Sequence, residues 1–521
     1  MLVEYLFTGC DFSGFGLHFC LLFASKSAIM RQRFEQQLDM RITPICDIKI
    51  PTKSRDELPP TLRALQYIFI TPSINEKIFA LLEEKICKGK KKTGRPGMDL
   101  WHVLVLAVIR HCLDTNWDRL THVANYDALV RNVLGVLPDL SEHEFEYQNI
   151  LDNVSLIDEQ LLQQVNDIVV EAGQQLIKKK EKEPICLKTD SYALETNIHF
   201  PTDLNLLWDS SRKMLDTVAN LRRYTVVAGW RKIKDIRKAL KSQYRATAHQ
   251  VFKGKSETQK KQSVKDYLQQ AIFLQKKCDA LLLDQLSVLS PQAEQKCTLL
   301  LIALNQYNDY SKKFADQIER RLIRGEQIPA SEKTYSIFEP HSEWITKGKA
   351  NKRIELGHLL MITTNQYQYI IDYKILEGEK DATQVESLTE RITQKYKDQP
   401  IHSHSFDKGY WSRENLRILQ DSKIENVVLP KRGKQTKADK EREGSKAFKQ
   451  LRNKHSAVES NINMLEHHGL NRCRDRGMNG FKRCVGLSVL AYNLHVMGNS
   501  LQAIEKEKEA KQRNLFLKKA A

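Results

Sequence analysis

The feature that most limits the fold is where the strand signals lie: on both sides of a long helical block. From residue 213 to about 324 the sequence reads as long helices with little strand signal. Before the block stands the short apolar run Ile185-Cys186-Leu187. After it come extended patterns at 334–338, 358–364 and 367–373, with Asn365 and Gln366 as a hairpin turn between the last two. A helix from about 383 to 397 leads to further strands at 401–406 and 426–429. The reading is an α/β protein, with a mixed sheet flanked by helices and a large helical insertion between its first and second strands.

The strand at 185–187 runs through Lys188 and Thr189 onto Asp190, so an apolar run stops on a carboxylate. In parallel α/β sheets ligands bind beyond the carboxyl ends of strands, which is where such an Asp faces a cleft. A turn aspartate closing a strand is the ordinary reading of one such place. The second changes the balance: the run from Ile401 ends on Asp407, Gly409 then permits a sharp turn, and Ser412 is placed to cap a helix carrying Leu416 and Leu419. A third carboxylate, Glu459, lies in the helical segment 453–466, with Val458, Ile462 and Leu465 as its buried stripe. Arg452, His455, Ser456, Asn463 and Glu466 share the other side with Glu459.

Carboxylates from two strands and one helix can hold two Mg²⁺ ions, or Mn²⁺ in their place, because hard cations choose carboxylate oxygens. Two such ions about 4 Å apart activate the attacking oxygen and stabilise the leaving one in phosphodiester displacement. Asp190, Asp407 and Glu459 are therefore the expected catalytic and metal-binding residues.

Three phrases, TDSYALETNIHFPTD, SFDKGYW and HSAVESNINMLEHHGLNRCRDRG, resemble the catalytic blocks of the DDE transposases of bacterial insertion sequences. GRPGMDLWHVLVLAVIRHCLDTNWDRL resembles their N-terminal helical block, and KGKANKRIELG the start of their second core strand, so the similarity runs from about Leu62 to Asn493. The resemblance implies a ribonuclease H-like catalytic domain, with Asp190, Asp407 and Glu459 matching its metal-binding triad. It also implies cleavage at the ends of a mobile element, strand transfer into target DNA, a homodimer assembled on double-stranded DNA, and a bacterial cytoplasmic, nucleoid-associated location without membrane attachment. Many related enzymes carry a Tyr and an Arg before the glutamate and a Lys or Arg two turns after it; here Arg452, His455 and Glu466 stand there. Two other readings fit the same residues: a ribonuclease H-like nuclease that only hydrolyses, and a domesticated DNA-binding protein that has lost turnover.

The expected organisation is an N-terminal extension at 1–29 and a helical DNA-binding domain at 30–150. The catalytic domain takes 151–212 and 331–500, the insertion 213–330, and a frayed charged tail 501–521. The extension has an apolar run at 15–24 but no basic flank and too short a span for a bilayer, so it reads as a start-site extension without a settled fold. Trp101, Leu104, Val105 and Val108 mark a nearly all-apolar helix at the centre of the N-terminal bundle.

The net charge of +18 favours a polyanionic partner, and the acidic triad makes DNA the better choice over an anionic membrane surface. Expected phosphate contacts are Lys90, Lys91, Lys92 and Arg95, the basic segments 231–238 and 253–265, and Lys431, Arg432 and Lys434, with Arg452 and His455 beside Glu459. Ten scattered cysteines without a CxxC spacing read as reduced thiols.

Overall fold

The computed structural model describes residues 31, 33–34, 41–88, 97–137, 143–177, 183–284, 291–346 and 354–520. They fall into two compact units, Met1–Ile177 with Val489–Ala521, and Lys178–Ser488.

The first unit is helical: α1 (Leu58–Ile70), α2 (Pro72–Cys87), α3 (Leu100–Cys112), α4 (Trp117–Tyr126), α5 (Ala128–Leu134), α6 (Tyr147–Val154) and α7 (Glu159–Ile177). Every residue of α3 is buried, so the helix that reads as nearly all apolar is the centre of this bundle. Its Trp101 donates from Nε1 to the Val133 carbonyl at 2.8 Å, so that the indole is buried without an orphaned donor. Short helices here depend on caps. The Asn116 and Asp127 side chains accept the Arg119 and Val130 amides at the starts of α4 and α5, and Gly135, at φ 70°, ends α5 in the left-handed region.

The second unit opens with β1 (Ile185–Thr196) and continues through α8 (Asp203–Leu221), α9 (Ile233–Lys253), α10 (Glu257–Asp284) and α11 (Pro291–Ile318). Next come β2 (Glu343–Thr346), β3 (Ile354–Thr364), β4 (Ile370–Leu376), α12 (Val385–Lys395), β5 (Ile401–Phe406), α13 (Arg413–Asp421) and β6 (Ile424–Val428). The unit closes with α14 (Lys437–Gly444), α15 (Lys446–His455), α16 (Ala457–Leu465), β7 (Arg472–Cys473) and the start of α17 (Gly477–Ala520).

Seven strands form one mixed sheet, in which the path β2-β3-β1-β5-β6 is joined by β4 on β3 and β7 on β1. β1 is antiparallel to β3 and parallel to β5, and β5 is parallel to β6. The architecture is α/β, a mixed sheet flanked by helices, consistent with the expected ribonuclease H-like fold. Among the described residues no helix is long and apolar enough to cross a membrane.

The insertion has its own core, built from Leu207, Leu215, Val218, Tyr267, Leu274 and Phe314 on α8, α10 and α11. A domain boundary at residue 212 would cut α8, which starts nine residues earlier under a Thr202–Asn205 capping box and packs wholly into that core. Residues 151–177 belong to the helical unit, not to the sheet. The terminal segment is helical to Ala520 instead of frayed, with Glu505 paired to Arg63 within the first unit.

Two strand expectations shift. Residues 334–338 form bends, in which the Ser336 hydroxyl accepts the Phe338 and Glu339 amides, and the strand comes later as β2. β4 begins at Ile370 because the turn after β3 takes five residues. The Asn365 side chain accepts the Tyr367 and Tyr369 amides, and Gln368 sits at φ +72°.

Candidate active site

Asp190 lies inside a strand and not at its end. β1 continues six residues beyond it because antiparallel pairing with β3 runs from Lys188 opposite Thr364 to Glu195 opposite Gly357. Gly357 is required there: a Cβ on it would stand 1.9 Å from the Leu194 carbonyl oxygen. On its other edge β1 pairs with β5 only as far as Thr189 opposite Phe406, and with β7 again from Glu195. The ladder is therefore open along that edge from Asp190 to Leu194. Asp407 follows the last residue of β5, so the register sets it beside Asp190 at the mouth of this opening. Beyond it, Ser412 caps α13 through the Asn415 amide and Leu419 is buried.

Strand alternation sorts the neighbouring side chains. Thr189 bonds Thr363 Oγ1 at 2.8 Å and His404 Nε2 at 2.7 Å on one face of the sheet. Lys188, Asp190, Ser405 and Asp407 belong to the opposite face, where His455 from α15 shares a 2.9 Å hydrogen bond with Ser405 Oγ. The segment 453–466 is not one helix: α15 ends at His455 and α16 starts at Ala457. The buried positions of α16 are Val458, Asn461 and Leu465, with Ile462 only partly covered and Glu459 exposed.

The Asp190 carboxyl is pushed up to about 6 from an ordinary 3.8. Burial is the largest cause; the Ser191 amide, 2.7 Å from Oδ1, opposes it, and the smaller negative fields of Asp407, Glu459 and Asp381 add to the rise. Asp407 and Glu459 thus both act on Asp190, and Asp381 is a further negative neighbour of it. The Asp381 carboxylate accepts the Ser191 hydroxyl at 3.0 Å, just before α12. In sequence, Gly378-Glu-Lys-Asp-Ala-Thr is an ordinary polar turn, and no spacing marks Asp381 out. Tyr410 is buried at the same place, and burial holds its phenol well above the usual range, so it stays protonated beside Ser191. Burial lowers His455, more than the field of Asp407 raises it, with Lys188 and Arg452 adding to the lowering. Burial also lowers Lys188, helped by the Lys454 charge.

Among the described residues no three His, Cys, Asp or Glu side chains stand close enough to form a ready-made metal cage. Asp190 and Asp407 nevertheless suit a hard cation. Mg²⁺ is commonly held by one or two carboxylates, with water and substrate phosphates completing its shell, and a cation would offset both the burial and the negative fields that disfavour the Asp190 charge.

The expected DNA contacts separate. Lys90, Lys91, Lys92 and Arg95, and residues 1–29, lie outside the described residues. Lys431 is not an exposed cation: its ammonium pairs with Asp439 and lies 5.8 Å from the Trp411 ring, and its amide donates to Glu443 at 2.8 Å. Arg432 and Lys434 are exposed on either side of Gly433, as is Arg452, and His455 is half-buried. A basic groove of about 1010 Å³ lies in the insertion, lined by Arg222, Arg223, Arg231, Lys234, Lys238 and Lys241 among others. The segment 231–238 was legible as basic, whereas Arg222 and Arg223, just after α8, join it only through the fold.

Residues 320–494 match the family model described as the transposase DDE domain. No curated protein and no solved structure matches the chain. The matched region contains Asp407 and Glu459, and Asp190 precedes it.

Proposed function

We propose, from the match of residues 320–494 to the transposase DDE domain, that the chain is a DDE transposase that cleaves phosphodiesters at the ends of an insertion sequence and transfers the freed strands into target DNA. The observation that carries this reading is the register of β1 against β5, which sets Asp190 beside Asp407 at an opening in the ladder, under the fields of Glu459 and Asp381. Asp190 and Asp407 would hold a divalent cation, Mg²⁺ or Mn²⁺, with Glu459 approaching from α16. Bound there, such ions supply the Lewis acidity that in-line displacement at phosphorus needs.

The protein's own part is to fix two carboxylates on paired strands, to keep the site partly dry, and to carry duplex DNA. The insertion groove and the exposed Arg432, Lys434 and Arg452 supply the positive surface for the last of these. A homodimer assembled on DNA, a helical DNA-binding region before residue 150 and action at the nucleoid belong to the same reading.

The test is a supercoiled plasmid carrying the DNA that flanks the gene, incubated with the full chain and Mg²⁺, alongside a labelled precleaved end. Nicks together with joined products are expected, and Asp407→Asn should give neither. Nicking without joining would reduce the assignment to a hydrolase, and no nicking with either Mg²⁺ or Mn²⁺ would overturn it.

A further inference from the structure

On the helix-covered face of the sheet, one step along β1 from the acidic pair, lies a cavity of about 440 Å³ with the opposite character. Lys188, Lys454, Ser403 and Ser460 line it, together with Ser456 and Ala457 at the start of α16. Lys188 is only 8% exposed. Lysine is rarely buried so far without a partner. Among the described residues neither Lys188 nor Lys454 has a carboxylate within ion-pair distance or an acceptor within hydrogen-bond distance. Two ammonium groups thus share a cavity with no anion of the protein's own to balance them.

We infer that this cavity is a subsite for one backbone phosphate of a DNA strand, held by Lys188 and Lys454 beside the phosphate that the carboxylates process. Lys188 and Asp190 are alternate residues on one face of β1, about 7 Å apart along the strand. That separation is comparable with the step between consecutive phosphates of a nucleic-acid strand, so one strand can lie along β1 with one phosphate at each place. Serine hydroxyls and compact ammonium groups suit a phosphate oxygen and offer no base-reading surface, so the contact is indifferent to sequence. A planar carboxylate ligand would favour a guanidinium fork, which the cavity lacks. The inference rests on the proposed function for the identity of the strand, and not for the presence of an anion.

The experiment is therefore run without catalysis. Duplex binding by the full chain is measured in EDTA across a range of salt, for the parent, Lys188→Met, Lys454→Gln and Lys454→Arg. Each loss of a phosphate contact should make the log–log salt slope shallower by about one and weaken binding about tenfold, equally on any duplex sequence. Lys454→Arg should keep most of the parent's affinity. Lys454 is exposed, so Lys454→Gln remains informative even if Lys188→Met folds poorly. In parallel, ³¹P line broadening of inorganic phosphate by the parent should disappear in the variants. A parental salt slope in correctly folded Lys188→Met and Lys454→Gln would overturn the subsite. Phosphate broadening lost in both variants while their DNA slope stays parental would assign the cavity to a free anion, and would also overturn it. Absence of Mg²⁺-dependent nicking in the plasmid assay would remove the transposase chemistry while leaving a changed slope standing.

Discussion

Asp190→Asn should make the protein more stable at neutral pH, although it removes a residue of the proposed catalytic centre. The Asp190 carboxyl titrates near 6 against 3.8 for an unperturbed group, so the folded state disfavours its charged form by roughly 3 kcal/mol. Because the folded pKa of an acid is raised, the folded protein keeps a proton that the unfolded chain has already lost between about pH 4 and 6. Stability therefore falls as pH rises through that window, and the full penalty is present above it. Asparagine cannot ionise, and its amide oxygen can still accept the Ser191 N–H that Asp190 Oδ1 accepts at 2.7 Å. In EDTA the melting temperatures of parent and variant should converge near pH 4 and separate by a few degrees above pH 6, with the variant higher. Added Mg²⁺ should close the gap by stabilising the parent alone. Differential scanning calorimetry is the suitable assay, because the chain has two units and the pH-dependent difference should appear in one transition. A variant no more stable than the parent at pH 8 in EDTA would refute the picture of a buried, crowded carboxylate.

Three further outcomes are expected. Asp407→Asn and Glu459→Gln should each abolish plasmid nicking with little change in melting temperature, whereas Asp381→Asn should retain nicking and move the acid limb of its pH profile downward, because one negative neighbour of Asp190 is gone; an unmoved limb would remove Asp381 from the site. Neutralising Arg222, Arg231 and Lys238 together should flatten the salt dependence of binding by up to about three log units per log of salt, equally on element ends and random duplex, and a parental slope would return the groove to a plain solvated surface. Lys431→Met should lower the melting temperature, because it strands Asp439 and loosens the start of α14, while Arg432→Ala and Lys434→Ala should leave stability unchanged and weaken DNA binding; the reverse pattern would restore Lys431 as the DNA-gripping residue.

What could be read in advance was whatever depends on short-range pattern. The all-buried helix α3, the cap at Ser412, the strand ending before Asp407 and the helical character of the insertion all announce themselves within a few residues. Register and pairing do not. The sequence around Asp190 stops being apolar after Leu187, which reads as the end of a strand, yet β3 across the ladder supplies enough pairing to carry β1 on to Thr196. Asp381 has no local signal, because its role comes from a contact with Ser191 nearly two hundred residues earlier. Lys431 misleads for the converse reason: a basic tetrapeptide looks like a surface contact until the fold brings Asp439 and Trp411 to it.

The same alternation links the acidic and basic parts of the site. Lys188 precedes Asp190 by two residues on β1, and Ser405 precedes Asp407 by two on β5, while the parallel register pairs Lys188 with Ser405. One step therefore carries a cation and a hydroxyl, and the next carries two carboxylates, all on the face covered by α15 and α16. A slip of β1 by one residue would turn Asp190 and Lys188 together to the His404 face and leave Asp407 facing no partner. Several contacts resist such a slip. Thr189 is tied to both Thr363 and His404 on the opposite face, and Gly357 admits the β1 backbone only in the observed approach. The polar contacts under the sheet thus fix which side chains can meet above it, and the spacing of charge along β1 follows from the pleat and not from any flexible loop.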